Sequence, residues 1–184
     1  AMAQEMGGSL IREDFSGNPF LADSYGGQQE LNLPSQLYFL LSRVGQLSRP
    51  NLPEQGLAVS DYGFCQDRIY ARHRLTEDEF RVYERLAGRV AKLVQPPDVL
   101  ILLDAPVSTL RQRIARRGRR FEEAMSGDFL EQMRRAYQAP ELCRSGRSLH
   151  VDTARIDLRT LSGRQWVLDQ VRRRLDVTAR SDQP

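Results

Sequence analysis

Gly56 to Arg72 reads GLAVSDYGFCQDRIYAR, and this stretch decides the fold class. It opens on a short apolar run, Leu57-Ala58-Val59, of the kind that suits a strand buried on both faces of a parallel sheet. The run stops at Ser60-Asp61, and Asp67-Arg68 follow one or two helical turns later. In open α/β sheets, ligands sit outside the carboxyl ends of the strands. Asp61 therefore stands where chemistry is expected, with a second acid–base pair behind it. The other reading of Asp61 is a plain cap on the next helix.

Working outward, the same strand-then-polar pattern recurs. Ser9 to Phe15, SLIREDF, reads as a short strand ending in Glu13-Asp14. Asp98 to Asp104, DVLILLD, is the strongest strand signal, continuous and apolar, hence expected to be buried on both faces. Ser148 to Thr153 reads as a last strand. Helices fill the intervals. Asn18-Pro19 opens one, with Asn18 as cap and Pro19 at its first position. Asn32 caps the next, whose core stripe is Leu37, Leu40, Leu41, Val44 and Leu47, with Gln36, Arg43 and Gln46 off that stripe. Thr76 to Glu79 is a capping box, opening a helix to about Leu93 with Phe80, Tyr83, Leu86 and Val90 inward. A helix from near Ser108 buries Leu110 and Ile114 and ends at Gly118, a residue suited to a left-handed stop. Phe121 to Tyr137 and Leu161 to Leu175 read as two more helices, with a frayed tail after Val177. Strands alternating with helices mean α/β with a mainly parallel sheet, as a single domain over residues 1–184.

The bulk numbers narrow the function classes. The chain has 184 residues, 40% hydrophobic and 28% charged, enough for one full core. A net charge of +3 does not argue for nucleic acid. The run from Arg111 to Arg120 also lacks the aromatic interleaving of a single-strand binder. Lys92 is the only lysine and the other basic residues are arginine, the residue of planar phosphate and carboxylate recognition. Cys65 and Cys143 lie far apart without metal-ligand spacing, which fits reduced thiols and a cytoplasmic location. No apolar run is long enough for a membrane span, and no signal peptide opens the chain.

Several stretches together resemble the deoxynucleoside kinases of the bacterial deoxyadenosine and deoxyguanosine kinase type. They are Glu13 with Asn18-Pro-Phe-Leu, Tyr25, Gln36-Leu-Tyr-Phe-Leu-Leu-Ser-Arg43, Ser60-Asp61-Tyr62 with Asp67-Arg68, Pro97-Asp98-Val-Leu-Ile-Leu-Leu, and Arg113-Ile-Ala-Arg-Arg-Gly-Arg119. The resemblance covers about Gly8 to Asp157. It implies a P-loop kinase-like parallel sheet flanked by helices, and transfer of the γ-phosphoryl of ATP, with Mg²⁺, to the 5′-hydroxyl of a deoxynucleoside, a purine one by preference. Glu13 then matches the catalytic carboxylate, an acceptor for the hydroxyl proton. Gln36 matches the reader of the base, its carboxamide offering a donor and an acceptor side by side. Arg43 and Asp67 match partners beside the base, and Tyr25 and Glu122 the groups that hold the sugar 3′-hydroxyl. Arg113, Arg117 and Arg119 resemble the arginines that close over the phosphates, where charge spreads over the transferring oxygens. Arg155 and Asp157 fall in the loop that holds the donor's adenine, and Asp61 is the candidate metal ligand. The resemblance also implies a homodimer, with the helix from Leu33 to Leu47 as its surface.

Two departures stand out. The family carries Glu-Arg-Ser or Asp-Arg-Ser where this chain has Asp61-Tyr62-Gly63, leaving Arg68 or one of the arginines near Gly118 to compensate. Nor does any stretch fit GxxxxGK followed by Ser or Thr, the loop whose amides and lysine cradle phosphates. The expectation is therefore a fold incomplete at its N-terminus, through a shortened chain or a misplaced gene start, and a polypeptide inactive as it stands. The family's first strand lies between the strands ending here at Asp61 and Asp104. Its absence leaves three arrangements: those strands close on each other, another segment fills the slot, or further residues belong to the molecule. The rival reading is a non-catalytic nucleoside-binding or interaction module.

Overall fold

The computed structural model describes residues 2–123, 125–139 and 147–181. In chain order it contains α1 (Met2–Glu5), β1 (Ser9–Ile11), α2 (Leu21–Tyr25), α3 (Asn32–Leu47), β2 (Ala58–Ser60), α4 (Gln66–Arg74), α5 (Glu77–Val90), β3 (Leu100–Asp104), α6 (Val107–Arg117), α7 (Gly127–Gln138), β4 (Ser148–Asp152) and α8 (Leu161–Ser181). β1 pairs with β2 in parallel, Ser9 beside Ala58 and Ile11 beside Ser60. β3 pairs with β4 in parallel, from Leu100 beside Ser148 to Asp104 beside Asp152. Parallel pairing sets the carboxyl ends side by side, so the residues following all four strands are brought to the strand ends where ligands bind.

The pairs β1–β2 and β3–β4 are separate two-stranded sheets among the described residues. β2 and β3 have therefore not closed on one another, the first of the three arrangements expected. They do approach: Gly63, just after β2, faces Leu100 at the start of β3, and a Cβ there would lie 3.2 Å from Leu100 Cδ1. Leu103 stays 54% exposed, so β3 is not covered on both faces as its apolar run suggested. An apolar strand sequence records a preference for burial but does not by itself bring a layer to each face.

Two cores hold these pieces. Leu40 and Val44 of α3, Ala71 of α4 and Tyr83 of α5 form one. Leu149 and Val151 of β4 pack on Val167 and Val171 of α8 in the other, with Met2, Met6 and Ile101 against them. Burying each such side chain contributes about 1.5–3 kcal/mol. The Thr76 capping box forms as read, with Thr76 Oγ1 accepting from Glu79 N and the Glu79 carboxylate accepting from Thr76 N. Gly118 ends α6 with φ of 66°, left-handed as the sequence suggested. α8 is helical from Leu161 to Ser181.

Other local readings shift. Asn18 Oδ1 accepts from Phe20 N at 3.1 Å, closing a turn before α2 begins at Leu21. Asn32 is no cap, because a 3₁₀ turn at Gln29–Leu31 runs straight into α3. Its side chain instead reaches inward, accepting from Ser24 Oγ at 2.8 Å and donating to the Arg74 carbonyl at 3.0 Å. Leu41 and Leu86, read as core-facing, are exposed at 54% and 36%. Phe121 to Tyr137 is not one helix: a 3₁₀ turn at Arg120–Glu122 comes first, and Ser126 caps α7 by accepting from Phe129 N.

Candidate active site

The register of β1 on β2 builds the first half of the site. Asp61 N donates to Ile11 O at 3.2 Å, and Glu13 N donates to Asp61 Oδ1 at 2.8 Å. The two acids read from the sequence as strand-end groups are thus neighbours by backbone pairing. Asp61 binds the neighbouring loop rather than the next helix, because Cys65 occupies the position before α4 and no side chain caps it. Gln66, opening α4, donates to Glu13 Oε1 at 3.3 Å.

Arg43 comes in from α3 and joins this group to α4. Its Nη2 donates to Glu13 Oε1 and its Nη1 to Asp67 Oδ1. Arg43 is 4% exposed and Asp67 2%. Burial works against the guanidinium charge, but Asp67 and Glu13 outweigh it and raise its pKa. Burial pushes Asp67 up to about 7, against the pull of Arg43 and with a further push from Glu13. Asp67 Oδ2 and Arg43 Nε are buried without a hydrogen bond. Such a triad is costly to desolvate and survives because each charge faces an opposite one.

Tyr62 stands where the resembling family carries an arginine, and its ring lies under Arg43, 5.1 Å from the guanidinium carbon. Its hydroxyl donates to Gln46 Oε1, and Gln46 in turn donates to the Arg12 carbonyl at 3.0 Å. Burial first, tempered by Arg43, pushes the Tyr62 phenol up to about 12. Arg68, a candidate to compensate for the missing arginine, is engaged here by another partner. Glu84 of α5 engages it at 2.6 and 3.2 Å on the outer side of α4.

Gln36 lies on α3 two turns before Arg43, on the same face, and is 3% exposed. Its carboxamide makes no hydrogen bond among the described residues, although every other buried polar residue of this wall is engaged. Ser35 beside it holds Asn18 Nδ2 through its carbonyl and its hydroxyl, at 3.2 and 3.1 Å, which pins the Asn18 turn to α3. Tyr25 sits at the end of α2, where burial raises its phenol, with Tyr70, Arg74, Glu122 and Glu13 close enough to act on it. Glu122 is buried and takes Arg117 Nε at 2.8 Å and Arg119 Nη1 at 3.3 Å. Glu13, Arg43 and Asp67 are thus joined by hydrogen bonds, as are Glu122, Arg117 and Arg119, with Tyr25 near both acids Glu13 and Glu122.

The remaining expected residues gather at β3, β4 and α6. Arg113 donates to Thr153 Oγ1 at 2.7 Å and to its carbonyl at 2.9 Å. Thr153 donates to the Asp104 carbonyl through both N and Oγ1, each at 2.8 Å. Arg155 is exposed, and Asp157 pairs with Arg159 at 2.7 Å, a bond that holds its carboxyl well below the usual range. Asp104 is taken by Arg134 at 2.7 and 3.0 Å.

Sequence reasoning missed Arg74, Phe15, Phe121, Tyr70 and the Asp14–Tyr38 pair. In that pair Tyr38 OH donates to Asp14 Oδ2 at 2.7 Å while Gly17 N donates to Oδ1 at 2.9 Å, bracing the loop after Glu13. Burial, then the Glu13 charge, raises the Tyr70 phenol. These are single contacts across long chain separations, and no local pattern announces them.

Comparison with known proteins sets this geometry in context. The family model described as deoxynucleoside kinase matches residues 1–174. The chain is 26% identical over 140 residues to the deoxyguanosine kinase of Bacillus subtilis (strain 168), covering 74% of this chain and 68% of that protein. It is 25% identical over 151 residues to the deoxyadenosine/deoxycytidine kinase of the same strain, spanning 66% of its length. Against a deoxyadenosine kinase of Dictyostelium discoideum the identity is 25% and the span 53% of that protein. Among solved structures, a deoxyadenosine kinase from M. mycoides with products dCMP and a flexible dCDP bound superposes with a TM-score of 0.77 at 18% identity. The match covers 93% of this chain and 88% of that one. The same kinase with bound dATP gives a TM-score of 0.76 at 19% identity.

Proposed function

The chain belongs to the deoxynucleoside kinase family, and on that footing we propose that its pocket holds a deoxynucleoside, with a purine base read by Gln36. One observation carries this reading: a carboxamide with no hydrogen bond, 3% exposed, on the same helix face as an arginine clamped between two acids. A carboxamide left unengaged by the chain is free to offer its donor and acceptor side by side to a base edge. Arg43 and Asp67 flank the base, and Tyr25 and Glu122 take the sugar 3′-hydroxyl. The purine preference is supported by the deoxyguanosine and deoxyadenosine kinases among the relatives.

Glu13 serves as the acceptor of the 5′-hydroxyl proton. Arg43 and Gln66 both bind its Oε1, so the other oxygen faces the substrate. Asp61 is the candidate ligand for Mg²⁺. Among the described residues no three His, Cys, Asp or Glu side chains gather as metal ligands. A single exposed carboxylate suits an ion held mainly by water and triphosphate oxygens. Arg117 and Arg119 face the donor phosphates, Arg113 anchors their helix, and Arg155 and Asp157 border the donor base. ATP with Mg²⁺ supplies the phosphoryl group. The residues present do not make a cradle for its β- and γ-phosphates, since no GxxxxGK[S/T] stretch occurs. The 184 residues therefore bind nucleoside without turning it over, and catalysis belongs to a polypeptide that also carries such a loop.

A homodimer is supported by Leu41 on α3 and Val82 and Leu86 on the adjacent α5, all exposed apolar side chains. No helix among the described residues is long and apolar enough to cross a membrane, and a cytoplasmic location accords with that. Calorimetric titration with deoxyguanosine, deoxyadenosine, deoxycytidine and thymidine, alongside a transfer assay with labelled ATP, tests the reading. Binding of a purine deoxynucleoside without transfer supports it. Robust phosphorylation by this polypeptide overturns the inactivity. If a joined strand–GxxxxGK–helix unit restores no transfer, the non-catalytic binding module is the better reading.

A further inference from the structure

The segment that carries Arg119 and Glu122 is docked on rings from elsewhere in the chain. The Arg119 guanidinium carbon lies 3.9 Å from the ring centroid of Phe15. Phe15 meets Phe121 at 6.5 Å with a 45° tilt, and Phe121 meets Tyr25 at 5.7 Å with a 56° tilt. At the far end the Arg74 guanidinium lies 3.9 Å over the ring of Tyr25. Two guanidinium groups thus bracket a row of three rings. The row draws on four places: the loop after β1, the end of α2, the 3₁₀ turn at Arg120–Glu122, and the end of α4.

Three of the four are fixed independently. Arg74 Nη2 donates to the Ser24 carbonyl at 2.9 Å, to Ser24 Oγ at 2.8 Å and to Asn32 Oδ1 at 2.8 Å, which holds the end of α2. The Phe15 loop is braced by Asp14, Tyr38 and Gly17. The fourth, entered through the left-handed Gly118, is tied through Glu122 to Arg119 within the segment and to Arg117 at the end of α6. Such local pairs shape the segment but do not attach it to the pocket. The aromatic row does.

We propose that Phe15 and Phe121 are positioning residues that dock the Arg119–Glu122 segment on the pocket rim, so that docking and nucleoside binding against Tyr25 reinforce each other. The coupling half rests on the nucleoside reading above; the docking half does not. Linkage makes the coupling reciprocal: a nucleoside that favours the docked segment is itself held more tightly when the row is intact.

Amide hydrogen exchange over residues 118–123 of the full chain tests docking without any ligand. Phe15→Ala is expected to raise exchange there about three- to tenfold, the scale of a partly buried cation–π contact, with the thermal midpoint little changed. Phe15→Leu, which keeps bulk but not the ring, behaves likewise, and Phe15→Tyr restores protection. Arg119→Ala added to Phe15→Ala adds less than Arg119→Ala does in the parent, because the contact between the two is already gone. Calorimetry with each of the four deoxynucleosides then reads the coupling. In Phe15→Ala the affinity of whichever binds falls by a similar factor, and that nucleoside slows exchange of the segment less than in the parent. Exchange unchanged in Phe15→Ala, or fully additive effects in the double variant, overturns docking. Raised exchange with unchanged affinity overturns the coupling. Raised exchange in a chain that binds none of the four upholds docking and refutes the nucleoside reading.

Discussion

The two halves of the site are built on different physical terms. Around Glu13, Arg43 and Asp67 the arginine and Asp67 are buried and Glu13 half-buried, both acids face the one guanidinium, and the pairing of β1 with β2 sets Glu13 beside Asp61. Around Arg113, Arg155 and Asp157 the charged groups stand nearer the surface, Arg113 on the neutral Thr153 and Asp157 on the neighbouring Arg159. A buried charge that loses its partner keeps its desolvation cost, whereas an exposed one is rescued by water. The first half is therefore rigid and intolerant of substitution, and the second is tolerant and shaped by what it binds.

The widest separation between the halves appears in turnover. In a polypeptide carrying a phosphate loop, Glu13→Gln is expected to lower kcat by roughly 10²–10⁴-fold, the range of general base catalysis, with nucleoside affinity little altered. The amide oxygen still accepts from Arg43 but takes no proton. An unchanged kcat moves the base to Asp61. Arg119→Ala in the same background lowers kcat by much more than the loss of nucleoside affinity that undocking brings. Equal loss of both makes Arg119 structural only.

Stability gives the next contrast. Arg43→Ala strands two acids, and a loss of about 3–5 kcal/mol is expected in urea unfolding. Arg155→Ala, exposed, stays within about 0.5 kcal/mol. Comparable losses at the two sites break the comparison.

What the sequence told, and what it withheld, follows the same division. The Thr76 box and the Gly118 stop were readable because each is decided within four residues. On α3 the apolar spacing found Leu40 and Val44 correctly, yet it could not show that the adjoining strip, with Gln36 and Arg43 one turn to either side of Leu40, is buried as well. That burial is made by partners drawn from the loop after β1 and from α4, and no period within one helix encodes them. The same holds for Asn32, a plausible cap by residue type whose side chain is claimed by Ser24 and Arg74. Resemblance to a family reached Gln36 and Arg43 where periodicity did not. It could not reach Arg74 or Phe15, which matter through contacts with Tyr25 and Arg119.

A smaller effect concerns pH. Asp67 has a folded pKa of about 7 against 3.8 when unperturbed, so the folded state binds the extra proton between those values. Its contribution is fully present below the unfolded pKa and is lost as pH rises through about 7. Asp67→Asn is expected to remove that loss, so the variant's stability falls less than the parent's between about pH 4 and 7. Identical slopes in chemical unfolding across that window mean that Asp67 is already ionised throughout. A modest change is expected at Thr153→Val, which removes the hydroxyl that accepts from Arg113, at about 1 kcal/mol in urea unfolding.

Thr153 has a mechanical meaning too. By holding the Asp104 carbonyl with one side and Arg113 with the other, it rivets α6 to the ends of β3 and β4. A riveted helix does not rock. Any excursion of the arginine segment is then a pivot at Gly118 with a short radius, about 14 Å for the four residues to Glu122 at full extension. The swing sweeps a small arc, and whatever it reaches must already lie at the rim marked by Phe15 and Tyr25.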